Sequence, residues 1–155
     1  MRIIILRDPK ENPKKCSLTP LRERPEIEFV SFEPERVYEF GVVTLLDPAA
    51  PPLSEIDRER PLLVLDCSWR RLSSLRRSLR GEVFPRSIPP GFVTVYPRRS
   101  KTFDDPANGL ASVEALFAAS AVLGEENPKL LEGYLWKEQF LEGNRQRLLE
   151  FARSS

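Results

Sequence analysis

The chain has 155 residues, 41% hydrophobic and 30% charged, which suits one folded domain with a proper core. It has no His and only two Cys, which excludes His-based acid–base or triad chemistry and a structural zinc site, and argues against a disulfide framework. The net charge is only +1, yet residues 68–101 hold nine basic side chains against Glu82 alone, net +8, so the remainder carries −7.

In chain order, Arg2 to Arg7 reads as the first strand and Asp8 to Cys16 as a polar loop with Lys10, Lys14 and Lys15. Ser17 or Thr19 is placed to cap a short helix with Pro20 at its first position. Glu26 to Phe32 alternates and predicts a half-exposed strand. Val42 to Leu46 reads as a buried strand ending at Asp47-Pro48. Ala49 to Leu53 follows as a Pro-rich turn, and Ser54 to Arg60 as one short helix.

Pro61 to Leu65 is almost all aliphatic and led in by Pro61, the pattern of a strand buried on both faces. A carboxylate, a thiol, a hydroxyl and an indole follow at once: Asp66, Cys67, Ser68 and Trp69. Ligands of parallel α/β sheets sit outside the carboxyl ends of the strands, so this tetrapeptide is the first candidate site.

Arg70 to Leu79 predicts a basic helix with Leu72, Leu75 and Leu79 on one face. Phe92 to Tyr96 reads as the last strand and Leu110 to Leu123 as an apolar helix. Pro128 to Trp136 and Asn144 to Ala152 read as two more helices. Strands alternating with helices give an α/β class with a mostly parallel sheet and a helical C-terminal third. The expected division is an α/β half over 1–91 and a helical half over 92–155, packed as one compact unit.

Neither a P-loop nor a GxGxxG turn occurs. No run reaches membrane-spanning length, and the first seven residues are too short for a signal peptide, so the expected place is the cytoplasm, with no membrane and no metal. The basic stretch is nearly all Arg, which fits phosphate better than Lys, and points to nucleic acid. Lys14, Lys15, Arg70, Arg71, Arg76, Arg77, Arg80, Arg98, Arg99 and Lys101 are the candidate RNA contacts.

Several elements then occur in a telling order: Lys14-Lys15-Cys16-Ser17, Leu45-Leu46-Asp47-Pro48, Leu53-Ser54 with Asp57, Asp66-Cys67-Ser68-Trp69, and Leu110-Ala111-Ser112-Val113-Glu114-Ala115. Trp136, Phe140-Leu141 and Asn144 close the series. Together they resemble the small-subunit rRNA aminocarboxypropyltransferases over nearly the whole chain. Leu18 and residues 96–108 depart from that family's pattern.

The resemblance implies a SPOUT-type fold with a C-terminal trefoil knot, a monomer, and S-adenosylmethionine as cofactor. It implies transfer of the 3-amino-3-carboxypropyl (acp) group to a methylated pseudouridine of small-subunit rRNA or a pre-ribosomal particle. Position by position, Leu46 and Pro48 would pack on the adenine from one side, Leu110 and Ala115 from the other, and Phe92 matches an adenine-contacting backbone position. Ser17 and Ser112 would hold the acp carboxylate, with Thr19 as the substitute for Ser17. Trp69 would wall the sulfonium methyl, and Leu72 would complete that pocket.

Alternatives stand beside these roles. Trp69 also fits a plain core residue, and Asp66 fits either an acceptor for the pyrimidine imide proton or a simple helix cap. A methyl-transferring SPOUT enzyme and a non-catalytic rRNA-binding assembly factor are the rival functions.

Overall fold

The computed structural model describes residues 1–10, 17–96 and 110–154. Lys14, Lys15, Arg98, Arg99 and Lys101 lie outside the described residues. The main sheet has five parallel strands: β1 (Ile3–Arg7), β2 (Ile27–Ser31), β4 (Val43–Leu46), β5 (Leu62–Asp66) and β7 (Val83–Arg86), in the order β2-β1-β5-β4-β7. A small parallel ribbon pairs β3 (Tyr38–Glu39) with β6 (Leu79–Arg80).

Period-two alternation along β1 explains the layering. Ile3 and Ile5 join Leu62 and Val64 in a core that contains Val113, Phe117, Phe140 and Leu148. Ile4 and Leu6 join Leu63, Leu45, Tyr38, Leu75 and Leu79 in a second core on the opposite face. Helices α2 (Ser112–Val122), α3 (Lys137–Gly143) and α4 (Arg145–Ser154) therefore cover one face. The short α1 (Leu72–Arg77) and the β3–β6 ribbon cover the other. α2 is apolar and buried on nearly every side, as a helix between a sheet and outer helices must be.

The expected α/β class and parallel sheet are found. Several elements differ. Phe92 to Tyr96 is not a strand. Its backbone is held by side chains in place of a neighbouring strand: Val93 N–H donates to Asn144 Oδ1 at 2.7 Å, Asn144 Nδ2 donates to the Val93 carbonyl at 2.9 Å, and Val95 N–H donates to Glu114 Oε2 at 3.1 Å. Gly91 launches this segment at φ 109°, where a Cβ would meet Arg147 Nε at 2.7 Å. The outer strand is β7, whose Pro85 lacks an N–H and is tolerated at a sheet edge.

The expected helix over Arg70 to Leu79 is broken into a 3-10 turn (Trp69–Arg71), α1 and β6. Leu75 is buried, but Leu72 is exposed, because only one turn of α1 presses on the sheet. Pro128 to Trp136 holds a 3-10 turn (Pro128–Leu131), and α3 follows it. Neither Ser17 nor Thr19 caps the 3-10 turn Thr19–Leu21: Leu18 sits at its N-cap with no side-chain hydrogen bond.

Candidate functional site

β1 leads to β2 on one side, while the chain after β5 leads to β7 on the other. The carboxyl ends of β1 and β5 thus flank a topological switch point, the place where open parallel sheets take ligands. Arg7 and Asp66, the last residues of these strands, are register partners. Arg7 Nε donates to Asp66 Oδ2 at 2.8 Å, with side-chain exposures of 13% and 8%. The Arg7 guanidinium also lies over the Phe29 ring. Asp66 is therefore an ion-pair member; the 3-10 turn that follows has Ser68 at its N-cap and no side-chain cap bond.

Trp69 is 48% exposed, so it is not a core residue. It opens the turn directly after β5, with the Arg70 guanidinium 5.9 Å from its ring centroid. Leu72 is exposed three residues on. Leu46 ends β4 and packs, half-buried, against the helix-side core, as does Leu110; Pro48 is exposed.

The N-terminus of α2 forms a second cluster. Ser17 Oγ accepts from Val113 N–H at 3.2 Å, which brings the segment after β1 to the first turn of α2, beside Ser112 and Ala115. A hydroxyl that accepts one bond can still donate its proton, so Ser17 keeps a donor for an anion at this helix end. Thr19 lies two residues on, half-buried in its 3-10 turn. Phe92 turns its ring onto Phe151 in a stacked pair, with Arg147 over both.

Glu114 lies within the Leu110–Ala115 element, and the resemblance assigns it no role. It is fully buried and accepts four bonds: Ala111 N–H at 2.8 Å, Thr94 Oγ1 at 2.6 Å, Tyr134 OH at 2.9 Å and Val95 N–H at 3.1 Å. One carboxylate thus ties α2, the 92–96 segment and Tyr134 together. Its place at the third position of a helix was the available signal. Burial pushes the Tyr134 phenol well up from its ordinary value, and the bond to Glu114 adds to this. Trp136 packs edge-on against Tyr96 and Tyr134.

Of the candidate RNA contacts described, Arg70, Arg77 and Arg80 are exposed and Arg76 half-buried around α1. Arg71 turns inward instead, its Nε 3.1 Å from Oδ2 of the buried Asp8. Two cavities lie away from these clusters. One of about 580 Å³ opens at the amino end of the sheet beside Met1, Arg24 and Asn127, and one of about 350 Å³ lies between α3 and α4. Among the described residues no group of three or more carboxylates and thiols is placed to hold a metal.

The family described as "Ribosome biogenesis protein, C-terminal" matches residues 44–155, most of the chain. The chain belongs to this family. It is 34% identical over 124 residues to a protein of Methanopyrus kandleri named 16S rRNA aminocarboxypropyltransferase, covering 74% of this chain and 68% of that one. Its fold matches a S-adenosylmethionine-dependent rRNA:acp-transferase of Vulcanisaeta distributa with a TM-score of 0.74 at 25% identity, over 99% of this chain and 84% of the other. These relatives bear out the resemblance drawn from the DCSW element and its companions.

The donor set suits S-adenosylmethionine. Apolar Leu46 and Leu110 suit adenine, hydroxyls and N–H groups at α2 suit a carboxylate, and an exposed indole suits a sulfonium.

Proposed function

We propose that this protein transfers the acp group from S-adenosylmethionine to a methylated pseudouridine of small-subunit rRNA, within ribosome biogenesis. The observation that carries this reading is the exposure of Trp69 at the carboxyl end of β5. A buried tryptophan there would be structural; an exposed one at the switch point is a wall for a ligand. The names of the Methanopyrus and Vulcanisaeta relatives support the reaction, and the second supports the cofactor.

A sulfonium offers three electrophilic carbons, and the one set in line with the nucleophile reacts. Trp69, with Leu72, covers the methyl and attracts the positive sulfur through its ring face. Ser17, Ser112 and the α2 N–H groups hold the acp carboxylate; Leu46, Pro48, Leu110, Ala115 and the Phe92 backbone hold the adenine. Thr19 backs up Ser17. The pyrimidine imide nitrogen gives up its proton and bonds to the acp carbon; the carbon–sulfur bond breaks, and methylthioadenosine leaves with that electron pair. Asp66 receives the imide proton or orients the base; a carboxylate has room for several hydrogen bonds, so pairing with Arg7 does not exhaust it.

Arg70, Arg76, Arg77 and Arg80 form the RNA-facing surface in this reading, and Lys14, Lys15, Arg98, Arg99 and Lys101 are further RNA contacts proposed from the sequence. We read the fold as SPOUT-type with a C-terminal knot, divided near residue 91 into two halves that share a core, and the protein as a cytoplasmic monomer. The family resemblance supports the knot and the monomer.

Incubating the protein with small-subunit rRNA and S-adenosylmethionine, then analysing nucleosides by mass spectrometry, tests the function. Added acp with methylthioadenosine supports it. Added methyl with S-adenosylhomocysteine would overturn it in favour of a methyltransferase.

A further inference from the structure

Asp8 is the first residue after β1, 2% exposed and well inside the protein. It makes three contacts in three directions. Its N–H donates to the Asp66 carbonyl at 2.9 Å. Its Oδ1 accepts from Lys10 N–H at 3.0 Å. Its Oδ2 lies 3.1 Å from Arg71 Nε, in the turn that begins at Trp69. Arg71 Nε is enclosed and off the hydrogen-bond axis, so this last contact is charge to charge.

A carboxylate so deeply buried needs a cation, and Arg71 is the charge partner beside it. The pair therefore pins the Trp69–Arg71 turn to the end of β1.

We infer that the Asp8–Arg71 pair is a positioning device for Trp69, setting the indole where it selects which carbon of the sulfonium is exposed. This rests on the cofactor site proposed above. Arg71 then serves the cofactor pocket and not the RNA surface. The same-sized Asp8→Asn keeps the bond from Lys10 and removes the charge; Arg71→Gln does so from the partly exposed side.

Trp69 and Trp136 are the only tryptophans, so Trp136→Phe leaves Trp69 as the single indole reporter. In that background Asp8→Asn and Arg71→Gln should each lower Trp69 fluorescence anisotropy in the folded protein, without added ligand. Each should also raise the Kd for S-adenosylmethionine on the order of tenfold, and the double variant should do no more than either alone, as a shared contact requires. Arg36→Gln, which breaks an exposed ion pair with Glu33, should change neither quantity.

Unchanged anisotropy in both folded variants would overturn the inference, as would additive losses of affinity. Should Asp8→Asn fail to fold, Arg71→Gln still decides the matter. Should the parent protein bind no S-adenosylmethionine, the cofactor reading fails, while the anisotropy arm still reports whether the pair holds Trp69.

Discussion

Arg7 and Asp66 face each other across the two central strands, in register and 2.8 Å apart, at the point where the sheet's connections diverge. Neighbouring parallel strands lie about 4.8 Å apart, so register partners on one face meet without effort. Both side chains are nearly buried, which makes the pair asymmetric in its consequences. Removing one charge takes this partner from the other, at a cost of up to roughly 3–5 kcal/mol, whereas replacing both with apolar residues costs far less. Arg7→Leu should lower the urea midpoint sharply, and Arg7→Leu with Asp66→Leu should recover much of the loss. Equal midpoints for the single and double variants would show that the pair is not desolvated as the structure has it.

Trp69 separates binding from stability. At 48% exposure, Trp69→Ala should change unfolding free energy little, within about 1 kcal/mol, where a core tryptophan would cost roughly 3–5 kcal/mol. S-adenosylmethionine binding should weaken by on the order of 2–4 kcal/mol, since the indole supplies a wall and a cation–π face. Calorimetric titration and denaturant melts read the two effects independently. A stable variant with normal affinity would remove Trp69 from the pocket.

The parallel sheet was legible because Leu62 to Leu65 is a short aliphatic run with a chemically dense exit, and because β1 is apolar from Ile3 to Leu6. Asp66 and Trp69 followed from that exit. Phe92 to Tyr96 has the β-branched and aromatic composition of a strand, but its partners are Asn144 and Glu114, side chains far along the chain that no local pattern announces. The edge strand β7 was hidden by Pro85, which reads as a breaker. The inward turn of Arg71 was hidden too: in sequence it sits in an Arg-rich run, and only the fold brings Asp8 beneath it.

Glu114 predicts a stability effect and a pH effect. Glu114→Ala would leave four donors without their acceptor, each costing about 1–3 kcal/mol if it stays dry, so a marked loss of stability and faster amide exchange at Val95 are expected. Tyr134 carries the pH term. Its folded pKa is raised above the ordinary value of 10.0 by burial first and Glu114 second, so the native state holds the proton more tightly than the unfolded chain. The stabilisation is complete below about pH 10 and is lost as pH rises beyond it. Tyr134→Phe should flatten that alkaline slope. Phenolate absorbance of the folded parent and Tyr134→Phe proteins should show the Tyr134 phenol ionising well above its ordinary value; a signal lost on substitution from the ordinary tyrosine range would refute the buried bond.

The surface around α1 carries the last prediction. Arg76, Arg77 and Arg80 are distributed over α1 and β6, on the face opposite α2 to α4, and close in sequence to Trp69. Phosphate contacts release counterions, so each lost contact should reduce the slope of log affinity against log salt by about 0.7 for single-stranded RNA. Changing all three to Ala should weaken rRNA binding and flatten its salt dependence, while S-adenosylmethionine affinity and Trp69 anisotropy stay at parental values. Arg71→Gln should do the reverse, because its guanidinium is committed to Asp8. Measuring both affinities for both variants at several salt concentrations separates the RNA surface from the cofactor pocket. An unchanged salt slope in the triple variant would move the RNA surface away from α1.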